Sequence, residues 1–134
     1  MPYDIQITEH NGIYTRYYGE VSDQELYVAA EQKLANPRII SIDYLLSDYS
    51  NVTEFNVTAT GIRSLAELTE PFATKKPDLI IVSIMPKDIQ YGYARMFQAY
   101  VADEKTGWQT YVAKTEQDAK AKLEEFLSLK FKQN

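Results

Sequence analysis

Tyr3, Ile5 and Ile7 alternate with Asp4, Gln6 and Thr8, the two-residue period of a strand with one buried face. Asn11-Gly12 follows, a pair that tolerates positive φ and so predicts a tight turn, and Ile13 to Tyr18 returns as a second strand. Ser22 and Glu25 have the spacing of a capping box, in which each side chain is expected to satisfy a free backbone N–H. Leu26, Ala29, Ala30 and Leu34 give the helix that follows one apolar stripe, and Asn36-Pro37 ends it.

Ile39 to Leu46 is rich in apolar and β-forming residues, and Leu79 to Met85 is almost wholly apolar. Runs of this kind suit strands covered on both faces, as in parallel sheets flanked by helices. Between them the polar stretch Ser47 to Phe55 reads as a loop. A helix is predicted from about Val57 to Phe72, with Ile62, Leu65, Ala66, Thr69 and Phe72 on its inner face. Pro86-Lys87-Asp88 opens a third helix over Ile89 to about Ala102, and Trp108 to Ala113 forms the last strand after Gly107. Thr115-Glu116-Gln117-Asp118 starts a fourth helix with Ala119, Leu123, Phe126 and Leu127 inward, and the tail from Lys130 is expected to fray.

The predicted order is β-β-α-β-α-β-α-β-α in a single α/β domain over residues 1–134. The helices between strands imply a mixed, mostly parallel five-stranded sheet in which only the first strand runs antiparallel. Ligands of open α/β sheets gather beyond the carboxyl ends of the parallel strands. That rim comprises Gly19 to Ser22, Asp48 to Thr58, Pro86 to Arg95 and Lys114-Thr115.

Composition narrows the function classes. Fourteen Lys and Arg against nineteen Asp and Glu give a net charge of −5, which argues against nucleic acid as a partner. The absence of cysteine removes disulfides, thiolate nucleophiles and Cys-ligated zinc. The N-terminus has neither a basic nor an apolar signal region, and no apolar run approaches the ~20 residues of a membrane span, so a cytoplasmic location is expected. Eleven tyrosines suggest many half-wet ring positions.

Little chemistry is spelled out. His10 is the only histidine and falls in the first hairpin turn, at the opposite end of the sheet from the rim. Asp43, Asp48 and Glu54 read as solvated or turn-capping carboxylates, and no cluster is spaced for a metal or a cofactor. Gly61 and Gly92 open no phosphate-binding pattern, and Gly92 is expected to allow a close approach at its helix end. A non-catalytic protein is therefore expected.

The third helix carries two apolar stripes: Ile89, Tyr93, Met96, Phe97 and Tyr100 on one, and Tyr91, Ala94, Gln98 and Val101 on the other. Such a helix needs a second burial partner, which is a neighbouring helix, a second subunit (hence homodimerisation) or a small apolar ligand. Tyr91, Gly92, Tyr93, Arg95, Phe97 and Tyr100 are the candidate ligand or interface residues, with Arg95 placed to hold an anion or to pair with Asp103.

The stretch Asp48-Tyr49-Ser50-Asn51-Val52-Thr53-Glu54-Phe55-Asn56-Val57-Thr58 resembles the STAS-like domains, the fold of the sporulation stage II protein AA that antagonises an anti-sigma factor. There an Asp-Leu-Ser-x-Val stretch closes a strand and an Asp-Ser-Ser-Gly motif opens the next helix. Tyr91-Gly92-Tyr93-Ala94-Arg95-Met96-Phe97 and Asp118-Ala119-Lys120-Ala121-Lys122-Leu123 are similar to segments of an uncharacterised branch of that fold. The resemblance implies a regulatory, protein-binding role, with Asp48, Asn56 and Thr58 as candidate partner-docking or phospho-acceptor residues. Asn56-Val57-Thr58-Ala59 departs from the phosphorylated motif: only Thr58 can accept a phosphate, and Asn56 stands where the family has an acid.

Overall fold

The computed structural model describes residues 2–8, 10–101 and 106–132. Strands β1 (Tyr3–Ile7) and β2 (Gly12–Ser22) form the hairpin, with Asn11 at a positive φ of 60° in its turn. Helix α1 (Asp23–Ala35), a 3-10 turn (Ile39–Ser41), β3 (Tyr44–Asn56), α2 (Ala59–Thr69) and a second 3-10 turn (Glu70–Thr74) follow. The chain closes with β4 (Ile80–Ile84), α3 (Asp88–Tyr100), β5 (Gln109–Ala113) and α4 (Glu116–Lys132). The strands lie in sequence order, β1-β2-β3-β4-β5, with β1 antiparallel to β2 and every later pair parallel. This is the mixed α/β sheet expected from the alternation of elements.

Alternation of side chains divides the interior into two layers. Tyr17, Tyr49, Met85 and Val112 face α1, α2 and α3, through Leu26, Ile62 and Ala94. Tyr44, Leu46, Ile80, Val82, Ile84 and Ala113 face α4 alone, through Ala119 and Leu123. The central strand β4 buries Ile80, Val82 and Ile84 almost completely, as its apolar run requires.

Four local expectations are corrected. The strand expected over residues 39–46 begins only at Tyr44, because the chain first makes a 3-10 turn at Ile39–Ser41 that buries Ile39 and Ile42. The supposed loop from Ser47 to Phe55 is strand. It pairs with the long β2 through two register shifts, between Arg16 and Tyr18 and between Gly19 and Glu20, each adding one residue to β3. Those bulges turn the two-residue alternation into the spacing Tyr49, Val52, Phe55, which conceals a strand from a period-2 reading. Gly19, at φ 67°, supplies the left-handed backbone at the second shift.

Ser22 and Glu25 bond to each other through their side chains instead of capping backbone amides, so α1 begins without a side-chain cap. Lys130 does not fray: α4 continues to Lys132, and the Lys130 Nζ reaches Asp43 Oδ1 at 3.1 Å and Asp78 Oδ2 at 3.3 Å. These contacts pin the end of α4 beneath the amino ends of β3 and β4.

Because β4 is paired on both edges and covered on both faces, its amides should open only with global unfolding. Native-state hydrogen exchange should place Ile80, Val82 and Ile84 in the slowest class, and exchange there at loop-like rates would rule out a central β4.

Candidate functional site

The carboxyl ends of β2 and β3 deliver Ser22 and Asn56 side by side, and the helices that follow, α1 and α2, start together. Thr58 caps α2: its Oγ1 accepts a hydrogen bond from the Gly61 N–H at 3.0 Å. The same hydroxyl donates to Asp23 Oδ2 at 2.6 Å, and the Thr58 backbone N–H donates to Asp23 Oδ1 at 2.9 Å. Asp23, the first residue of α1, thus holds the start of α2. Asn56 Nδ2 donates to Glu20 Oε1 at 3.0 Å on the same exposed rim.

Gly61 makes this arrangement possible. A Cβ there would fall on the Asp23 carboxylate, so any other residue drives Asp23 off Thr58. Asp23 carried no motif-level signal in the sequence; only a glycine in an otherwise good helix hinted that something approaches closely.

The other sequence candidates are dispersed. Asp48 is not on this rim. It is 7% exposed and lies on the sheet face toward α4, where its carboxylate accepts from the Tyr14 hydroxyl at 3.1 Å and the Ser50 N–H at 2.9 Å. Seven residues of β3 separate it from Asn56, about 25 Å of extended strand. Burial, then Asp48, pushes the Tyr14 hydroxyl up to about 12. His10 is exposed in the hairpin turn, at the amino end of the parallel strands.

Gly92 is exposed and a Cβ there would meet nothing, so no close approach explains it. Arg95 is exposed, and its suggested partner Asp103 lies outside the described residues. Tyr91 receives the Lys114 ammonium over its ring at 5.2 Å. Tyr93, Phe97 and Tyr100 are half-buried and pack against the core, Tyr93 with its ring 6.1 Å from that of Phe55. Gln98 bonds Thr110 across the layer at 3.0 Å. The second burial partner that α3 requires is therefore α2 together with the overhanging part of β3, and of the large apolar side chains of α3 only Ile89 is exposed.

Beneath the three helices a cavity of about 110 Å³ lies against the sheet. Its walls include Leu26, Leu45, Ile62, Ile81 and Phe97, and its polar groups include Lys33, Ser47 and Ser83. Lys33 is 8% exposed, and burial lowers its ammonium to about 8. Keeping it charged at neutral pH costs on the order of 3 kcal/mol. The lysine was legible only as a polar residue in the helix, because its turn toward the sheet depends on the rotation of α1.

No family model matches the chain, and no curated protein matches it. Solved structures do. The anti-sigma factor antagonist SpoIIAA in its unphosphorylated form aligns with a TM-score of 0.55 and 12% identity over 91% of this chain and 97% of that one. The Bacillus cell fate determinant SpoIIAA in its phosphorylated form gives 0.52 and 10% identity over 90% and 98%. An uncharacterised Shewanella loihica protein with a SpoIIAA-like fold gives 0.52 and 12% over 89% and 90%.

Two measurements test the site. In an exposed helix Gly→Ala usually stabilises by ~0.5–1 kcal/mol. Here Gly61→Ala should destabilise by about 1 kcal/mol through loss of the Asp23 bonds, yet stabilise in an Asp23→Ala background, so chemical denaturation of the four proteins should show that change of sign. For Lys33, the unfolded chain keeps a proton up to its ordinary value of 10.5, whereas the native chain gives it up near 8, so stability should rise with pH across that window. Above about 10 it should fall, because burial raises the Tyr17 and Tyr49 hydroxyls in the native state and the unfolded tyrosines ionise first. Lys33→Met should flatten the rise and add about 1–3 kcal/mol at pH 7, as melting temperatures across pH would register.

The polypeptide has the STAS-like fold of SpoIIAA, a single α/β domain of five strands and four helices.

Proposed function

We propose that the protein is a non-catalytic regulatory module that docks a protein partner on the rim formed by Asp23, Asn56 and Thr58, with phosphorylation of Thr58 as its control. The observation that carries this reading is the Thr58 hydroxyl itself, exposed at the start of α2 and bonded to Asp23 at 2.6 Å. A phosphate there would add about −1.5 to −2 charge beside a carboxylate, break both Asp23 bonds and present three acceptor oxygens where the rim now offers one hydroxyl. The two α-helical starts would lose their tie, and the docking face would change in both charge and shape. The likeness to SpoIIAA, solved in unphosphorylated and phosphorylated forms, supports the same reading.

Asp48 has no part in this rim, since its carboxylate is buried and satisfied. Homodimerisation through α3 has less to rest on, because α2 and Phe55 cover part of the apolar surface of that helix within its own chain.

Mass spectrometry of the protein isolated from its own host should find phosphate on the peptide that contains Thr58. Thr58→Glu should abolish the Thr58–Asp23 coupling seen in a double-mutant cycle with Asp23→Ala. Phosphate confined to other residues, or absent through all growth stages, would remove the switch.

A further inference from the structure

Thr15, Ser47 and Ser83 stand in one register across β2, β3 and β4, so three small hydroxyl residues cross the middle of the sheet in a row. They interrupt strands whose neighbouring inward positions are large, Ile13 and Tyr17 on β2, Leu45 and Tyr49 on β3. Thr15 is wholly buried, and its Oγ1 has no hydrogen-bond partner among the described residues. Ser47 and Ser83 line the cavity beneath α1, α2 and α3. The small side chains of Ser47 and Ser83 leave room for that space.

The Lys33 side chain enters the same cavity from α1. Its side chain is more than nine-tenths buried, its ammonium retains some access to solvent, and no ion pair or hydrogen bond joins it to another described residue. A lysine whose stem is buried among apolar side chains, with no acceptor beside its ammonium, is less stable there than leucine or methionine would be. A mostly apolar chamber with one unpaired cation and the hydroxyls of Ser47 and Ser83 has the usual design of a small-molecule site: apolar walls for the body of a ligand, a few polar groups for its head.

We propose that this cavity binds a small apolar monocarboxylate, its carboxylate paired with the Lys33 ammonium and accepting from Ser47 or Ser83, its hydrocarbon part against Leu26, Ile62, Ile81 and Phe97. The single cation sets the charge of the ligand at minus one, since a dianion would leave one negative charge unpaired in an apolar enclosure. The volume sets its size. About 110 Å³ is close to the ~150 Å³ of an engineered cavity that accepts benzene, so a branched short-chain or a single-ring acid fits and a long acyl chain does not. Burial lowers the Lys33 ammonium, and a carboxylate beside it would raise it again.

Isovalerate and benzoate are suitable probes, with 3-methylbutan-1-ol and benzyl alcohol as uncharged counterparts. Calorimetric titration of the full chain at pH 7 should show saturable 1:1 binding of at least one acid, at least tenfold tighter than its alcohol. Lys33→Met, which should fold at least as well as the natural protein, should lose that preference and bind the alcohol as well as or better than the acid. In the natural protein the 13Cε resonance of Lys33 should titrate at higher pH when the acid is saturating, a readout that needs no variant. Thr58→Ala should leave acid binding unchanged, so that failure at the rim and failure in the cavity are separable. Absence of binding by either acid, equal affinity for acid and alcohol, or an unmoved Lys33 titration would each overturn the proposal.

Discussion

The parallel ladder between β2 and β3 is the constraint on which the rest of the structure depends. It runs from Gly12 opposite Tyr44 to Ser22 opposite Asn56, far beyond the point where β4 stops pairing at Asp48. That overhang carries the starts of α1 and α2 out to one place and so creates the Asp23–Thr58 contact. It also supplies the far wall of the helical layer, where Tyr49 stacks on Tyr17 at 4.4 Å and Phe55 meets Tyr49 and Tyr93. Lys87 closes the open edge, its ammonium donating to the Val52 carbonyl at 3.0 Å. Without the long ladder there would be neither a rim nor a roofed cavity.

The rim and the cavity share two helices. Asp23 and Lys33 lie at opposite ends of α1, and Thr58 and Thr69 at opposite ends of α2. The Asp23–Thr58 contact joins the helices at one end, and the cavity lies under the same two helices.

Fold and site were legible in the sequence to different depths. The hairpin, α2, β4 and α4 followed from periodicity and turn chemistry, because those elements obey a single repeat from end to end. The upper half of β3 did not, since two bulges replace the alternating pattern by a threefold one at Tyr49, Val52 and Phe55. Thr58 was found through a family resemblance, but its partner Asp23 was not. Their sequence separation of 35 residues is bridged only by parallel pairing, and no local pattern encodes it. Lys33 was invisible for a related reason. Polar residues on a helix are assigned to solvent by default, and only the packed structure shows which one faces the sheet.

The same ladder has a consequence for the chain while it is being made. The β1–β2 hairpin is complete in sequence at Ser22, but the outer edge of β2 has no partner until residues 44–56 have been synthesised. At ~5–20 residues per second that interval is on the order of seconds, long compared with the microseconds in which a hairpin forms. During it an eleven-residue strand with apolar Ile13, Tyr17 and Val21 presents an unpaired edge to every other nascent chain nearby. Gly19 at positive φ and the charged Arg16 and Glu20 make that edge a less flat and regular template than a neighbouring copy would need.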